Sequence, residues 1–194
     1  YRNFDGQVPA PGELSESDRA IIAKVEGGFA PIGDLIAGAQ FRSALFETMA
    51  LAREANRYLD EQSPWLKLKT DRAHAAQSVY VALRVIDSLK ILFTPFLPHT
   101  SQALHEQLGY DDSLLGAFDI KTFAEAQSEH RALCYTDASL SKHGEPVEHG
   151  EPVEPRDRWT PSALPAGQRL REPKALFKKL DVKVVEEERA RLGK

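Results

Sequence analysis

The sequence predicts an all-α fold, a helical bundle of about five helices with an irregular C-terminal extension. Apolar residues recur at helical spacing over long stretches, Ala is abundant inside them, and Pro or Gly closes each one. With 194 residues, 42% of them hydrophobic and 28% charged, the chain is long enough to bury one substantial core.

Residues 1–12 hold Gly6, Pro9, Pro11 and Gly12 close together, which predicts a loop, taken to follow the end of a helix that lies upstream. Ser15 or Ser17 can then cap a first helix, with Asp18 close behind and Ile21, Ile22, Val25 and Phe29 at helical spacing. Gly27, Gly28 and Pro31 are expected to disturb it, while Ile32, Leu35 and Ile36 carry the apolar stripe on to Gly38. Residues 41–61 give the strongest helical signal, with Phe41, Leu45, Met49, Ala52, Asn56 and Leu59 near one face. That helix must stop before Pro64, because the residue preceding a proline is pushed out of the helical region. Residues 71–93 form the next, capped by Asp71, carrying Val79, Leu83, Ile86, Leu89, Lys90 and Phe93, and ended by Pro95. Pro98 opens a shorter helix over residues 100–108, terminated by Gly109.

Beyond Tyr110 the helical periodicity weakens. Residues 143–154 write the hexapeptide His-Gly-Glu-Pro-Val-Glu twice in tandem, a Pro- and Glu-rich stretch that predicts a solvated loop and is too short a repeat for a solenoid. Trp159, Pro161, Leu164, Pro165 and Gly167 mark an extended stretch, and residues 174–192 read as a closing helix or two, with Glu186, Glu187 and Glu188 on a solvated face. The domain reading is a loop over 1–13, the bundle over 14–140, a low-complexity insertion over 141–158, and a C-terminal extension with a closing helix over 159–194.

A net charge of −4 excludes a broadly basic surface, so any contact with nucleic acid must be local. Cys134, the single cysteine, has no internal disulfide partner, and no apolar run reaches the ~18 residues that span a bilayer; a cytoplasmic location without membrane contact is expected. Position 1 is Tyr and Met49 is the one methionine, which points to a piece of a larger protein. The six histidines fall at no spacing typical of zinc ligands, His99 and His105 lying on different helix faces, so no metal site is expected. Gly27 and Gly28 lack both the spacing and the following Lys-Ser or Lys-Thr of a phosphate loop, and Glu47, Glu54, Asp60 and Glu61 show no spacing of an acid and base pair.

The informative stretch is 55–69. A helix ends there, Pro64 turns the chain, Trp65 follows, and Lys67 and Lys69 come next. An exposed indole offers a face on which an unstacked base can lie, worth about 1–3 kcal/mol, and the two lysines can meet phosphates. A Trp after a helix-ending Pro is also a common core plug, and the residues alone leave both readings open.

Ala55, Asn56, Tyr58, Pro64 and Trp65, with Leu51 and Ala52 ahead of them, resemble the Ala-Asn-x-Tyr and Pro-Trp signature at the anticodon-binding helix of methionyl-tRNA synthetases. The run Phe-Thr-Pro-Phe-Leu-Pro-His at 93–99 is similar to that family's next helix junction, and Leu-Phe-Lys-Lys-Leu-Asp at 176–181 to its C-terminal segment, which folds back towards the catalytic half. The resemblance covers most of the chain, is strongest over 41–108, and leaves the hexapeptide repeat as a local insertion.

The resemblance implies a module that recognises the CAU anticodon of tRNA(Met), with Trp65 stacking on an anticodon base and Pro64 setting its pose. Asn56 and Asp60, a helical turn apart, would read base edges or reject wrong bases; Asp60 also repels phosphate, which favours discrimination. Two further anticodon-reading residues of the family, an Asn and an Arg, belong to the helix ahead of Tyr1, and Arg2 and Asn3 are not their equivalents, so weak binding by the isolated chain is expected. The catalytic His-x-Gly-His and Lys-Met-Ser-Lys-Ser signatures are absent from the sequence; no catalytic residue and no cofactor is expected here, with ATP and methionine held by the catalytic half, against which this module packs. DNA is not an expected partner.

Other readings remain. One is the equivalent bundle of a leucyl-, isoleucyl-, valyl- or cysteinyl-tRNA synthetase, which Pro64 and Trp65 after Asn56 disfavour. Another is a protein-interaction module in which Phe41, Phe46 and Trp65 form a partner groove without RNA. The exposure of Trp65 separates the classes: an indole open to solvent near Asn56, Lys67 and Lys69 supports RNA, whereas a sealed one supports a scaffold.

Overall fold

Ser15 starts the first helix: its hydroxyl accepts the N–H of Asp18, and the Asp18 carboxylate accepts the N–H of Ser15, a closed capping box. In the computed structural model, which describes residues 1–115, 117–124, 129–136, 159–162, 164–177 and 182–192, this cap opens α1 (Glu16–Glu26). It is followed by α2 (Phe29–Ala37), α3 (Phe41–Gln62), α4 (Pro64–Lys67), α5 (Arg72–Phe93) and α6 (Pro98–Gln107). The architecture is the helical bundle that the periodicity predicts. Central α5 packs against α1, α3, α4 and α6, and α2 lies on α3.

The boundaries follow the chain's punctuation. The expected disturbance at Gly27 and Gly28 is a full corner between α1 and α2, and Pro31 is tolerated because it falls in the first turn of α2. At Gly28 a β-carbon would stand 2.5 Å from Leu51 Cδ1, so a larger residue at this corner would displace the Leu51 side chain. Ser63 ends α3 in the left-handed region at φ 42°, its backbone N–H donating to the Leu59 carbonyl, and Pro64 begins α4 at once. Asp71 caps α5 by accepting the N–H of His74, as its position predicts. Pro98 stands in the first turn of α6, and Gly109, at φ 94°, ends the turn where a β-carbon would lie 1.9 Å from the Arg169 carbonyl oxygen.

The core gathers Ile21, Ile22 and Val25 of α1, Phe29 and Ile32 of α2, Ala44 and Tyr58 of α3, and Val81, Val85, Leu89 and Leu92 of α5. One apolar stripe departs from the sequence reading. Phe41, Leu45 and Met49 face solvent, and α3 meets its neighbours with Ala44, Thr48 and Tyr58 instead. The small side chains of Ala44 and Thr48 allow close packing, and the Thr48 hydroxyl is satisfied by the Ala44 carbonyl at 2.9 Å.

Two polar nodes interrupt the core. Asp18 is buried and accepts the Tyr58 hydroxyl at 2.6 Å, the Gln77 amide and the Ser15 N–H, which joins α1, α3 and α5. Burial alone would raise its carboxyl pKa, but these hydrogen bonds outweigh it and hold the group below the ordinary carboxylate range. On the far side of α5, buried Asp87 accepts from Lys90, from the Tyr110 hydroxyl at 3.0 Å and from the Ser162 hydroxyl. Burial lowers the Lys90 pKa against the pull of Asp87, and the ammonium lies 4.0 Å from the centre of the Tyr110 ring.

After α6 the chain forms an antiparallel hairpin, β1 (Ala117–Ala124) with β2 (Glu129–Thr136), in the register Ala117 to Thr136 through Ala124 to Glu129. The sequence alone places this segment inside the bundle, and the structure replaces helix with strands here. The hexapeptide repeat at 143–154 lies outside the described residues. Residues 159–162 and 164–171 then run back over the helices: Trp159 donates its indole N–H to the Phe29 carbonyl at 2.9 Å, Ser162 sits on α5, and Leu164 is buried. Gly6 and Val8 pair through their backbones with Gly167, Gln168 and Leu170, so the loop expected over 1–12 is partly strand-like. The closing helix is α7 (Val182–Leu192), shorter than the 174–192 expected; residues 174–177 are not helical, and 178–181 lie outside the described residues.

Tyr58→Phe removes a donor from the buried Asp18 carboxylate and lowers the unfolding free energy by about 1.5–3 kcal/mol, read as a lower urea midpoint at neutral pH. Because the folded carboxyl titrates below its ordinary 3.8, this stabilisation is present above that value and is lost as pH falls through the lower folded one. The difference between the two proteins therefore narrows on acidification, and a difference that stays constant contradicts the assignment.

Candidate nucleic-acid interface

The end of α3 is fixed by Tyr58. Its hydroxyl is tied to Asp18 in the core, and residues two positions away on a helix point to the far side, so Asn56 and Asp60 are both exposed. Ser63 then reverses the chain. Its left-handed backbone, with the hydroxyl donating to the Asp60 carbonyl, permits Pro64 to start a new turn immediately. Pro64 is buried, and the turn it opens carries Trp65, whose surface is 52% exposed, beside the more exposed Leu66.

All six residues singled out in the sequence therefore fall at this end of the bundle: Asn56 and Asp60 on the last turns of α3, Pro64, Trp65 and Lys67 on α4, and Lys69 in the turn before α5. The two lysines differ. Lys69 is exposed, whereas Lys67 is half-buried with its ammonium 2.8 Å from Nε2 of His74. Arg72 opens α5 nearby, donating to the Asn3 carbonyl at 2.7 Å and lying 5.3 Å from the centre of the Phe4 ring. Neither His74 nor Arg72 was legible as part of this end, because no helical period runs across the α4–α5 corner.

Around Glu54 of α3 the positive charges of Arg57 and of Lys24 from α1 are cancelled. Arg57 lies 2.5 Å from Glu54 and 3.7 Å from Glu61, and Lys24 lies 2.6 Å from Glu54. Hydrogen bonding from Lys24, together with the positive charges of Arg57 and Lys24, holds the Glu54 carboxyl below its ordinary range. The groove between α2 and α3, of about 480 Å3, is lined by Pro31, Ile32, Leu35 and Leu51 with Asp34 and Glu47 and by no basic side chain, which suits a phosphate chain poorly. Among the described residues, no group of three His, Cys, Asp or Glu side chains gathers as a metal site, and no helix is long and apolar enough to cross a membrane.

The proposed partner groove is not assembled. Phe41 and Phe46 are 56% and 63% exposed, but they stand at the start of α3, roughly 32 Å and 24 Å of helix from the end that carries Trp65, by the rise of about 1.5 Å per residue.

Comparison with known proteins matches residues 8–144 to the family described as the anticodon binding domain of methionyl tRNA ligase. The chain is 49% identical over 193 residues to a methionine–tRNA ligase of Chloroflexus aurantiacus, covering 99% of this chain and 30% of that protein. It is 46% identical to that of Thermomicrobium roseum, over 97% of this chain and 30% of that protein. It thus spans about three tenths of the length of the curated relatives it matches. Among solved structures, the apo form of Mycobacterium tuberculosis methionyl-tRNA synthetase aligns at 27% identity and a TM-score of 0.54, over 56% of this chain and 23% of that one. The same enzyme in complex with methionyl-adenylate aligns over 92% of this chain and 28% of that one with a TM-score of 0.62 at 22% identity, a likeness of fold.

The geometry separates the two tryptophans. Trp65→Phe should remove the red-shifted, iodide-quenchable part of the intrinsic fluorescence and Trp159→Phe the protected part; the reverse assignment would place Trp65 in the core.

Proposed function

The chain belongs to the family of methionyl-tRNA ligase anticodon-binding domains, and from that membership we propose that it recognises the CAU anticodon of tRNA(Met) for a methionine–tRNA ligase. The observation that carries the reading is the exposed indole of Trp65 on a turn opened by buried Pro64. A flat apolar face held away from the core is what an unstacked base requires, and a neighbouring lysine can meet its phosphate.

In this reading Trp65 stacks on an anticodon base and Pro64 fixes its pose. Asn56 offers an amide that can both donate to and accept from a base edge, and Asp60 accepts only, so it rejects a base presenting an acceptor at that position. Lys67 and Lys69 contact phosphates. The parent ligase attaches methionine to tRNA(Met) with ATP; ATP and methionine are bound by its catalytic part, and this module contributes no catalytic residue and holds no cofactor or metal. The parent acts in the cytoplasm, without membrane or DNA. The solvent-facing stripe of Phe41, Leu45, Phe46 and Met49 gives the rest of the enzyme an apolar surface to pack on.

The test is an NMR shift titration of the chain, which reads weak binding, with an RNA hairpin carrying a CAU loop and with one changed at the first anticodon base. The CAU hairpin should bind more tightly, and Trp65→Ala should weaken it about 5- to 150-fold, the equivalent of one base stack at 1–3 kcal/mol. Equal binding of the two loops, or indifference to the substitution, refutes the assignment.

A further inference from the structure

The hydrogen bond between Lys67 and His74 differs from the ion pairs made by other basic side chains of α1, α3 and α5. Lys24, Arg57 and Arg84 are each paired with carboxylates, which cancel their charge. The Lys67 ammonium is instead 2.8 Å from a ring nitrogen, His74 Nε2. An ammonium has donors and no acceptor, so Nε2 must accept, which fixes His74 as the neutral tautomer with its hydrogen on Nδ1. The lysine is held in place by a contact that brings no opposite charge to it.

His74 is itself held. Its backbone N–H donates to Asp71 Oδ1 at 3.0 Å, and its carbonyl accepts the hydroxyl of buried Ser78 at 2.9 Å. The imidazole stands in the first turn of α5 and reaches across the corner to the last residue of α4, two residues on from Trp65. A free lysine has many rotamers, and a phosphate contact made by one must order it at the moment of binding. With one ammonium hydrogen on His74, two remain to meet an oxyanion.

We propose that His74 is a positioning residue for RNA binding: it presets the Lys67 ammonium, uncancelled, for a phosphate adjoining the base stacked on Trp65. This role rests on the RNA-binding reading of Trp65. The nearby charges are consistent with it, since one oxygen of Asp71 is occupied by the His74 N–H, Arg72 is engaged by Asn3 and Phe4, and Lys69 is exposed.

The test is the CAU-hairpin titration at several salt concentrations with Lys67→Ala, His74→Ala, His74→Gln and the double variant Lys67→Ala/His74→Ala. Lys67→Ala should reduce the slope of log K against log salt by about 0.7, the value of one single-strand phosphate contact. His74→Ala should weaken binding about 3- to 10-fold, the cost of ordering one long side chain. His74→Gln, whose amide oxygen can accept from the ammonium, should restore most of it. In the Lys67→Ala background the loss of His74 should cost nothing more. A role confined to stability predicts equal losses with and without Lys67 and no rescue by Gln, and that result overturns the proposal, as does unaltered binding by His74→Ala. Failure of the unaltered chain to bind any hairpin overturns the RNA reading itself, and this role with it. In the free protein, long-range proton–nitrogen spectra should show His74 with its proton on Nδ1 and an Nε2 shift that moves in Lys67→Ala; the opposite tautomer overturns the proposal independently of RNA.

Discussion

A carboxylate moved out of water loses several kcal/mol of hydration, and it survives in a folded interior only if donors surround it. Asp18 is placed under that constraint between three helices, with donors drawn from α1, α3 and α5. The directionality of hydrogen bonds makes the node more demanding than the apolar contacts around it, because Ile or Val side chains tolerate a rotated neighbour whereas the Tyr58 hydroxyl does not. The rotation of α3 is thereby set, and with it the outward direction of Asn56 and Asp60. Everything at the Trp65 end inherits its orientation from a capping residue of α1.

The same end of the molecule shows how an acidic chain can present a site for a polyanion. The net charge is −4, and several basic groups on the helices, among them Lys24, Arg57 and Arg84, face carboxylates, an attraction that is small in water. What counts is where positive charge is left uncancelled. Lys67, Lys69 and Arg72 follow Trp65 within one corner, so recognition depends on local placement rather than on a long-range field. This would suit the proposed discrimination of one loop from others, since non-specific attraction to every RNA would dilute the contribution of base contacts.

Most of the helical plan was legible because its signals are local. Ser15, Asp71 and Pro98 act within one turn of themselves, and Pro64 disfavours a helical conformation of the residue just before it. The hairpin was missed although Phe118 and Ile120 alternate with Asp119 and Lys121, a period-two pattern too short to stand out beside long helices. The inward face of α3 was misread for another reason. Hydrophobicity alone favours Phe41, Leu45 and Met49 over Ala44 and Thr48, but close approach of helices selects small side chains, a requirement that appears only when both partners are present. The candidate site shows the same division: Asn56, Pro64 and Trp65 were visible as a pattern, whereas the contact from Lys67 to His74 depends on two helices meeting at a corner.

The Asp87 node carries a consequence for the order of events during synthesis. Lys90 and Tyr110 reach Asp87 from nearby in the chain, but Ser162 arrives from 75 residues downstream. A ribosome emits α1 to α6 well before that serine exists, so α5 spends an interval with its outer flank uncovered and Asp87 short of one donor. The returning segment must then close a long loop, whose entropy grows only as the logarithm of its length, so the sequence between can lengthen at small thermodynamic expense. Variation in the stretch between the hairpin and Trp159 is accordingly the kind of change this fold can absorb over evolutionary time, provided that the serine still finds the aspartate.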